Sequence, residues 1–271
     1  MDFDKCYIEI LQLVKQAGSI INEKIHQYKD ILTKSCDIDL VTEWDQKVEK
    51  LLIDGILSKY PDHKFIGEES IAAGEKIELT NAPTWIIDPI DGTMNFVHGL
   101  PHTCISVALL INKTTEIGIV YNPILNQLFT ARKGQGAFLN GAPIHVSNRK
   151  ELNKSLLLVE IGTSRDPEKV EIILQNVKIL IPRVHGLRSF GSAALDICMV
   201  ALGGADAYFE FGIHAWDIAA GDLIVREAGG VSIDPAGGPF DVMSRRILCA
   251  SSTELAQELS KIIIQFYPER D

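Results

Sequence analysis

The sequence predicts a layered α/β fold. Two observations carry this. Helical apolar stripes alternate with short apolar runs bounded by turn residues, and the alternation is most regular in the second half. The chain of 271 residues is 46% hydrophobic and 23% charged, which suits a globular core and excludes disorder for the whole.

The elements follow in order. Tyr7, Ile10, Leu11, Val14, Ala17 and Ile21 recur at helical spacing, so the first ~25 residues form an amphipathic helix. Thr42 with Asp45 three residues later signals a helix start. Val48, Leu51, Leu52 and Ile56 continue that helix until Pro61 stops it. Phe65-Ile66 and Trp85-Ile86-Ile87 read as buried strands. Cys104–Ile111 and Ile117–Tyr121 read as strands joined by a polar turn at 112–116. Asn140-Gly141 marks a two-residue hairpin.

In the second half, Leu156–Ile161, Ala207–Phe211, Val231–Ile233 and Ile247–Ala250 read as strands. Pro167–Leu180, Ser192–Leu202, Trp216–Ala228 and Glu254–Phe266 read as helices. There is no repeat and no linker. The expectation is a single domain over 1–271, with possible subdomains 1–150 and 151–271 sharing one core.

Charge and cysteine usage narrow the function. The net charge is −10, from 26 basic and 36 acidic residues, with no Lys/Arg block. Nucleic acid and anionic membrane are excluded as partners on that ground. Phosphate binding stays open, because cations or backbone N–H groups can reverse the local sign. Five cysteines, Cys6, Cys36, Cys104, Cys198 and Cys249, fit neither a disulfide framework nor a zinc site, and imply a reducing compartment. No basic start with an apolar run marks a secretory signal, and no run approaches the ~20 residues of a membrane span. Cytoplasmic location is expected.

The main chemical signal is Trp85-Ile86-Ile87-Asp88-Pro89-Ile90-Asp91-Gly92-Thr93. An apolar strand ends in two carboxylates, a glycine and a hydroxyl, at the place where α/β sheets bind ligands. Pro89 removes a ladder donor, so the strand is expected to break there. Gly92 allows close approach of a ligand to the backbone. Two adjacent carboxylates repel by several kcal/mol at an effective dielectric of about 20, and a hard cation such as magnesium relieves this. A solvated Asp-Gly turn is the bland alternative. Gly67-Glu68-Glu69-Ser70 and His214-Ala215-Trp216-Asp217 are weaker signals, each equally at home on a surface or at a helix start.

Together these three stretches resemble the inositol monophosphatase family, through essentially the whole chain. Val184–Arg188, Gly203–Tyr208 and Gly237–Asp241 resemble its animal branch in particular. The resemblance implies a layered α-β-α-β-α sandwich of the inositol monophosphatase / fructose bisphosphatase type. It implies a magnesium-dependent phosphatase releasing inositol and inorganic phosphate from inositol monophosphates, with two or three Mg2+ per site, inhibition by Li+, and a homodimer. Glu68, Asp88 and the Ile90 carbonyl would hold one magnesium; Asp88, Asp91 and Asp217 a second; Glu68 also serves a third, weaker site. Backbone N–H groups at Gly92 and Thr93 would grip the phosphate. Thr93, with Asp45 behind it, would orient a metal-activated water that attacks phosphorus directly. Glu210 and the backbone near Ala193 would contact ring hydroxyls, with Asp91 and Asp217 also facing substrate. Met94 departs from the animal pattern, which has Thr.

Other chemistries fit less well. A phosphoaspartate mechanism uses Asp-x-Asp, whereas Asp88 and Asp91 are spaced Asp-x-x-Asp, which in a regular strand points them to opposite faces. Gly134-Gln135-Gly136 lacks the third glycine of a nucleotide loop. His98 and His102 read as loop residues and Cys198 as core. Family competitors that cleave nucleotide or sugar bisphosphates need a basic cluster, for which Arg188, Arg245 and Arg246 are the only candidates. A non-catalytic metal-binding scaffold is the alternative from another class, and the full set of carboxylates argues against it.

Overall fold

A computed structural model describes residues 2–27, 29, 31–33 and 40–271. Cys36 lies outside the described residues. The elements in chain order are α1 (Phe3–Lys24), β1 (Ile31–Thr33), β2 (Leu40–Thr42), α2 (Glu43–Leu57), β3 (Lys64–Gly67), α3 (Glu68–Ala72) and β4 (Thr84–Asp91). Next come α4 (Thr93–His98), β5 (Cys104–Ile111), β6 (Thr114–Asn122), β7 (Gln127–Arg132), β8 (Ala137–Leu139) and β9 (Ala142–Ile144). The remainder are β10 (Leu156–Val159), α5 (Pro167–Leu180), β11 (Gly186–Arg188), α6 (Ala193–Ala201), β12 (Ala207–Phe211), α7 (Ala215–Glu227), β13 (Val231–Ile233), β14 (Arg246–Ala250) and α8 (Thr253–Ser260).

Two sheets dominate. Strands β3 to β9 form a seven-stranded sheet in sequential order, antiparallel except for the β3–β4 pair. The second sheet has the order β11-β10-β12-β14-β13, with β10 parallel to both neighbours. The chain passes from one sheet to the other between Ile144 and Leu156.

Strand alternation sorts the side chains into layers. Trp85, Ile87, Ile105, Val107 and Leu109 face α1 and α2 in one apolar cluster. Ile86, Ala108 and Leu110 face the other way, onto α6 and α7. The second sheet packs Tyr208, Ile247 and Cys249 on that same helix layer. Its opposite face, with Phe209, Phe211 and Leu248, packs against α5 and α8. The order is therefore helix, sheet, helix, sheet, helix, as the resemblance implied. In the central layer α6 and α7 are buried on nearly every face.

Local differences from the sequence reading have physical causes. Asn112 and Lys113 both adopt positive φ, so the turn is two residues long and β6 starts at Thr114. Strand β7 escaped detection because Gln127, Thr130 and Arg132 interrupt its apolar run, and β11 because it is three residues long and begins with glycine. The closing helix ends at Ser260 and Leu156–Ile161 shortens to β10, ending at Val159. The second helix ends at Leu57, capped by Ser58, before Pro61 can act. All four described cysteines are buried and free.

Pro89 does not end β4, which runs to Asp91. It sits in a bulge: Asp88 pairs with Ser106 and Asp91 with Cys104, so β4 uses one more residue than β5. The missing N–H of Pro89 falls where the ladder is already interrupted.

The layers approach closely at Gly118 on β6, where a Cβ would stand 2.7 Å from the Ala220 carbonyl oxygen of α7. Gly118→Ala is expected to lower stability by about 1–3 kcal/mol, read as a lower urea midpoint at unchanged slope.

Candidate active site

Each site residue is delivered by the end of an element. The bulge at Pro89 adds one residue between Asp88 and Asp91, which resets the alternation. Their carboxylates therefore do not diverge to opposite faces, as regular spacing would require. Asp88, Asp91 and Asp217 each place a ligand oxygen within 4.8 Å of the others. Glu68, at the start of α3, lines the same cleft but stands outside that tight group. Its position is set by Glu49 of α2, which accepts from the N–H groups of Glu69 and Ser70 at 2.8 Å each. A Cβ on Gly67 would stand 2.6 Å from the Glu49 carboxylate, so a larger residue there would displace the group that holds the start of α3.

The Asp91 Oδ2 accepts from Ser192 Oγ at 2.6 Å and from the Ala194 N–H at 2.8 Å. Both donors belong to the start of α6. Asp217 accepts from the His214 N–H at 2.6 Å, capping α7. Two helix N-termini of the central layer thus converge on the acidic cluster with their positive ends toward it. Asp271 reinforces the second: it accepts from the Ala215 N–H at 2.8 Å and contacts His214 Nδ1 at 2.6 Å. Neither Ser192, Glu49 nor Asp271 carries a sequence signal for this role, because each acts across a long separation.

Gly92 follows β4 with φ +82°, and begins α4. A Cβ there would lie 2.9 Å from the His102 carbonyl oxygen and 3.0 Å from that of Gly191. The glycine is demanded by the protein's own backbone as well as by its φ. Thr93 Oγ1 lies 2.9 Å from the Ile90 carbonyl oxygen and 3.2 Å from Asp45 Oδ1. Asp45 is fully buried, its Oδ2 held by the Thr42 N–H and hydroxyl in the capping box read from the sequence.

Glu68, Asp88, Ile90, Asp91, Gly92, Thr93 and Asp217 line a cleft of about 1200 Å³ that also contains Ala193, Glu210, Ser164 and Arg245, while Asp45 stands behind Thr93, outside the lining. Met94 lines it too and is partly exposed. Glu210, on β12, is buried and accepts from the Tyr208 hydroxyl at 2.5 Å. Of the basic candidates, only Arg245 reaches the cleft, where its guanidinium is engaged by the Gly212 and Ile213 carbonyls. Arg246 is buried against Asp234 and the Phe266 carbonyl, and Arg188 lies exposed on the edge strand β11. A second cavity, bordered by Ile77, Arg226, Phe240 and Arg270, shares none of the predicted site residues.

The cluster is electrostatically unfavourable as it stands. Burial pushes the Asp91 carboxyl up to about 6, and the charge of Glu68 adds to this against its hydrogen bonds from Ser192 and Ala194. Burial, then the charges of Asp91 and Glu68, drive Asp217 well above the ordinary range. Hard oxygen donors, crowded and desolvated with excess negative charge, suit a divalent cation such as magnesium.

The sandwich and its acidic cleft place the chain among layered α/β phosphatases. A model of the inositol monophosphatase family matches residues 3–265. The chain is 51% identical to inositol monophosphatase 1 of Bos taurus over 270 residues, covering 99% of this chain and 98% of that protein. The Homo sapiens protein of the same name is 50% identical over the same shares. A solved Thermotoga maritima IMPase superposes with a TM-score of 0.85 at 32% identity, covering 96% of each chain. The chain belongs to the inositol monophosphatase family and is a phosphoric monoester hydrolase.

The raised carboxyls have a stability consequence. A carboxyl whose folded pKa exceeds its unfolded value withdraws stability as pH rises toward the folded pKa. Metal-free protein should therefore lose stability between about pH 4 and pH 6 from Asp91. Asp91→Asn should raise the metal-free melting temperature at pH 7, checked by calorimetry in chelator, while the gain shrinks at pH 4.

Proposed function

We propose that this protein is a magnesium-dependent phosphatase that hydrolyses inositol monophosphates to inositol and inorganic phosphate. The observation that carries this reading is the convergence of Asp88, Asp91 and Asp217 on one point beside the Thr93–Asp45 pair. Family membership and the names of its relatives support the substrate class.

Asp88, Glu68 and the Ile90 carbonyl would hold one magnesium, and Asp88, Asp91 and Asp217 a second, with Glu68 available to a third. When bound, the metal supplies positive charge for the phosphate and lowers the pKa of a coordinated water. The chain's own residues do the rest. Asp45 is positioned to accept the Thr93 hydroxyl proton, which leaves that oxygen's lone pairs free to accept from the attacking water. Gly92 and Thr93 present backbone N–H groups to phosphate oxygens at the start of α4. Glu210 and the Ala193 backbone face the leaving group's hydroxyls. Attack is direct, with no phosphoaspartate, and lithium inhibits by taking a magnesium position.

The remaining reading is a homodimer in the cytoplasm, organised as one phosphatase domain with subdomains meeting near 150. No described helix is long and apolar enough to cross a membrane.

Phosphate release from inositol 1-phosphate, with and without magnesium, beside an adenosine bisphosphate and a sugar bisphosphate, tests the reading. The expected result is strong, magnesium-dependent preference for inositol 1-phosphate. Preference for a bisphosphate would move the substrate assignment, and no turnover of any ester would overturn it. Asp91→Asn should remove nearly all turnover with the fold intact by circular dichroism. Thr93→Val should lower kcat by about 10²-fold or more, the size of a lost proton-positioning group.

A further inference from the structure

Lys169 lies in the first turn of α5 and is 2% exposed. It shares the buried face of that helix with Ile173, Asn176 and Leu180, so it occupies a core position. A lysine there is costly, because a buried ammonium gives up its hydration unless a partner compensates. Helical propensity does not require it, and its backbone N–H is already served by the Asp166 cap.

The ammonium emerges beneath the cleft. A Cβ built on Gly162 would stand 3.0 Å from Lys169 Nζ and 3.0 Å from Glu210 Oε1. Both atoms border the same point, so they are no more than about 6 Å apart. A Cβ on Gly212 would also stand 3.0 Å from Nζ. Both glycines line the cleft and both have positive φ, +67° and +77°. Two loops are thus reduced to glycine where they pass the lysine tip.

Glu210 has a bonded partner and a charged neighbour. Its Oε2 accepts from the Tyr208 hydroxyl, and its Oε1 borders the point that Lys169 Nζ also borders. Other charges facing the pair are Glu160 on β10's end, Asp91, Asp166, Asp217 and Arg245. Burial pushes Glu210 up to about 7, and the Lys169 charge is the largest influence opposing it. Burial likewise lowers Lys169, with Glu210 the main opposing charge.

We propose that Lys169 is a positioning residue that holds the Glu210 carboxylate in place to read substrate hydroxyls, and so sets selectivity among phosphate esters. The proposal rests on the reading that Glu210 faces the leaving group. A fixed carboxyl acceptor favours a hydroxyl-rich leaving group and leaves the phosphate end untouched. Lys169 itself contacts no substrate.

The test compares Lys169→Met, Glu210→Gln and the double variant on inositol 1-phosphate and on p-nitrophenyl phosphate, with magnesium. The second ester has no ring hydroxyls and reports folding and metal loading. Lys169→Met should raise KM for inositol 1-phosphate about tenfold or more, as for a lost polar recognition. Its kcat should stay within about threefold, and its KM for p-nitrophenyl phosphate should be unchanged. In the Glu210→Gln background the second substitution should add nothing. Equal losses on both esters, or effects that multiply in the double variant, would overturn the proposal. If Glu210→Gln leaves the inositol 1-phosphate KM unchanged, the placement of Glu210 is wrong and the proposal falls with it. Should Lys169→Met fail to fold, Lys169→Gln keeps a polar tip, one atom shorter and without the charge, and answers the same question.

Discussion

Mutual repulsion among buried carboxylates is the constraint on which the rest of this structure depends. Three of them converge within 4.8 Å, and a fourth, Glu68, adds its charge to the same cleft. Such a group does not assemble on its own. Each member is restrained by donors that outlast the repulsion: Asp88 by the Ile90 N–H, Asp91 by the start of α6, Asp217 by the start of α7. Glu68 stands beside the α3 N-terminus that Glu49 holds. The central helix layer is consequently more than packing. Its helix ends supply the positive poles that make the acidic cluster tolerable before any cation arrives.

The apolar layers give those donors their rigidity. α6 and α7 are buried between two sheets, so their N-termini cannot shift without disturbing the core. The bulge in β4 does comparable work from the other side. Proline and an extra residue bring a second carboxylate onto the face of the first. The same proline, in a regular ladder, would only have cost a hydrogen bond.

Much of this was readable in the residues and part was not. The strand-to-glycine stretch from Trp85 to Thr93 announced itself because apolar and charged residues met abruptly within nine positions. The capping pair Thr42 and Asp45 was equally plain, being local. The bulge was not: Asp-x-x-Asp argued for divergent side chains, and only pairing with β5 reveals the extra residue. Ser192 bonds Asp91 across 101 positions, and Thr93 meets Asp45 across 48. No periodicity encodes such contacts. The resemblance supplied Asp217 and Glu210, while Glu49, Asp271 and Lys169 emerged only from packing.

The two ends of the cleft are built on different principles. On the proposed reading, the phosphate end consists of backbone groups at a glycine turn and the acidic cluster, which address features common to every phosphate monoester. The proposed leaving-group end combines the Ala193 backbone with side chains: Glu210, the Tyr208 hydroxyl that bonds it, and the buried Lys169 beneath. Backbone geometry at Gly92 is fixed by collisions with two carbonyl oxygens, so it has little room to change. Side chains carry no such restriction. Substitution at 169 or 210 alters charge near the leaving group without touching the strand bulge or the helix ends. On that reading selectivity can vary while the hydrolytic machinery stays the same, because residues 169 and 210 lie apart from the bulge and the helix ends that hold the acidic cluster.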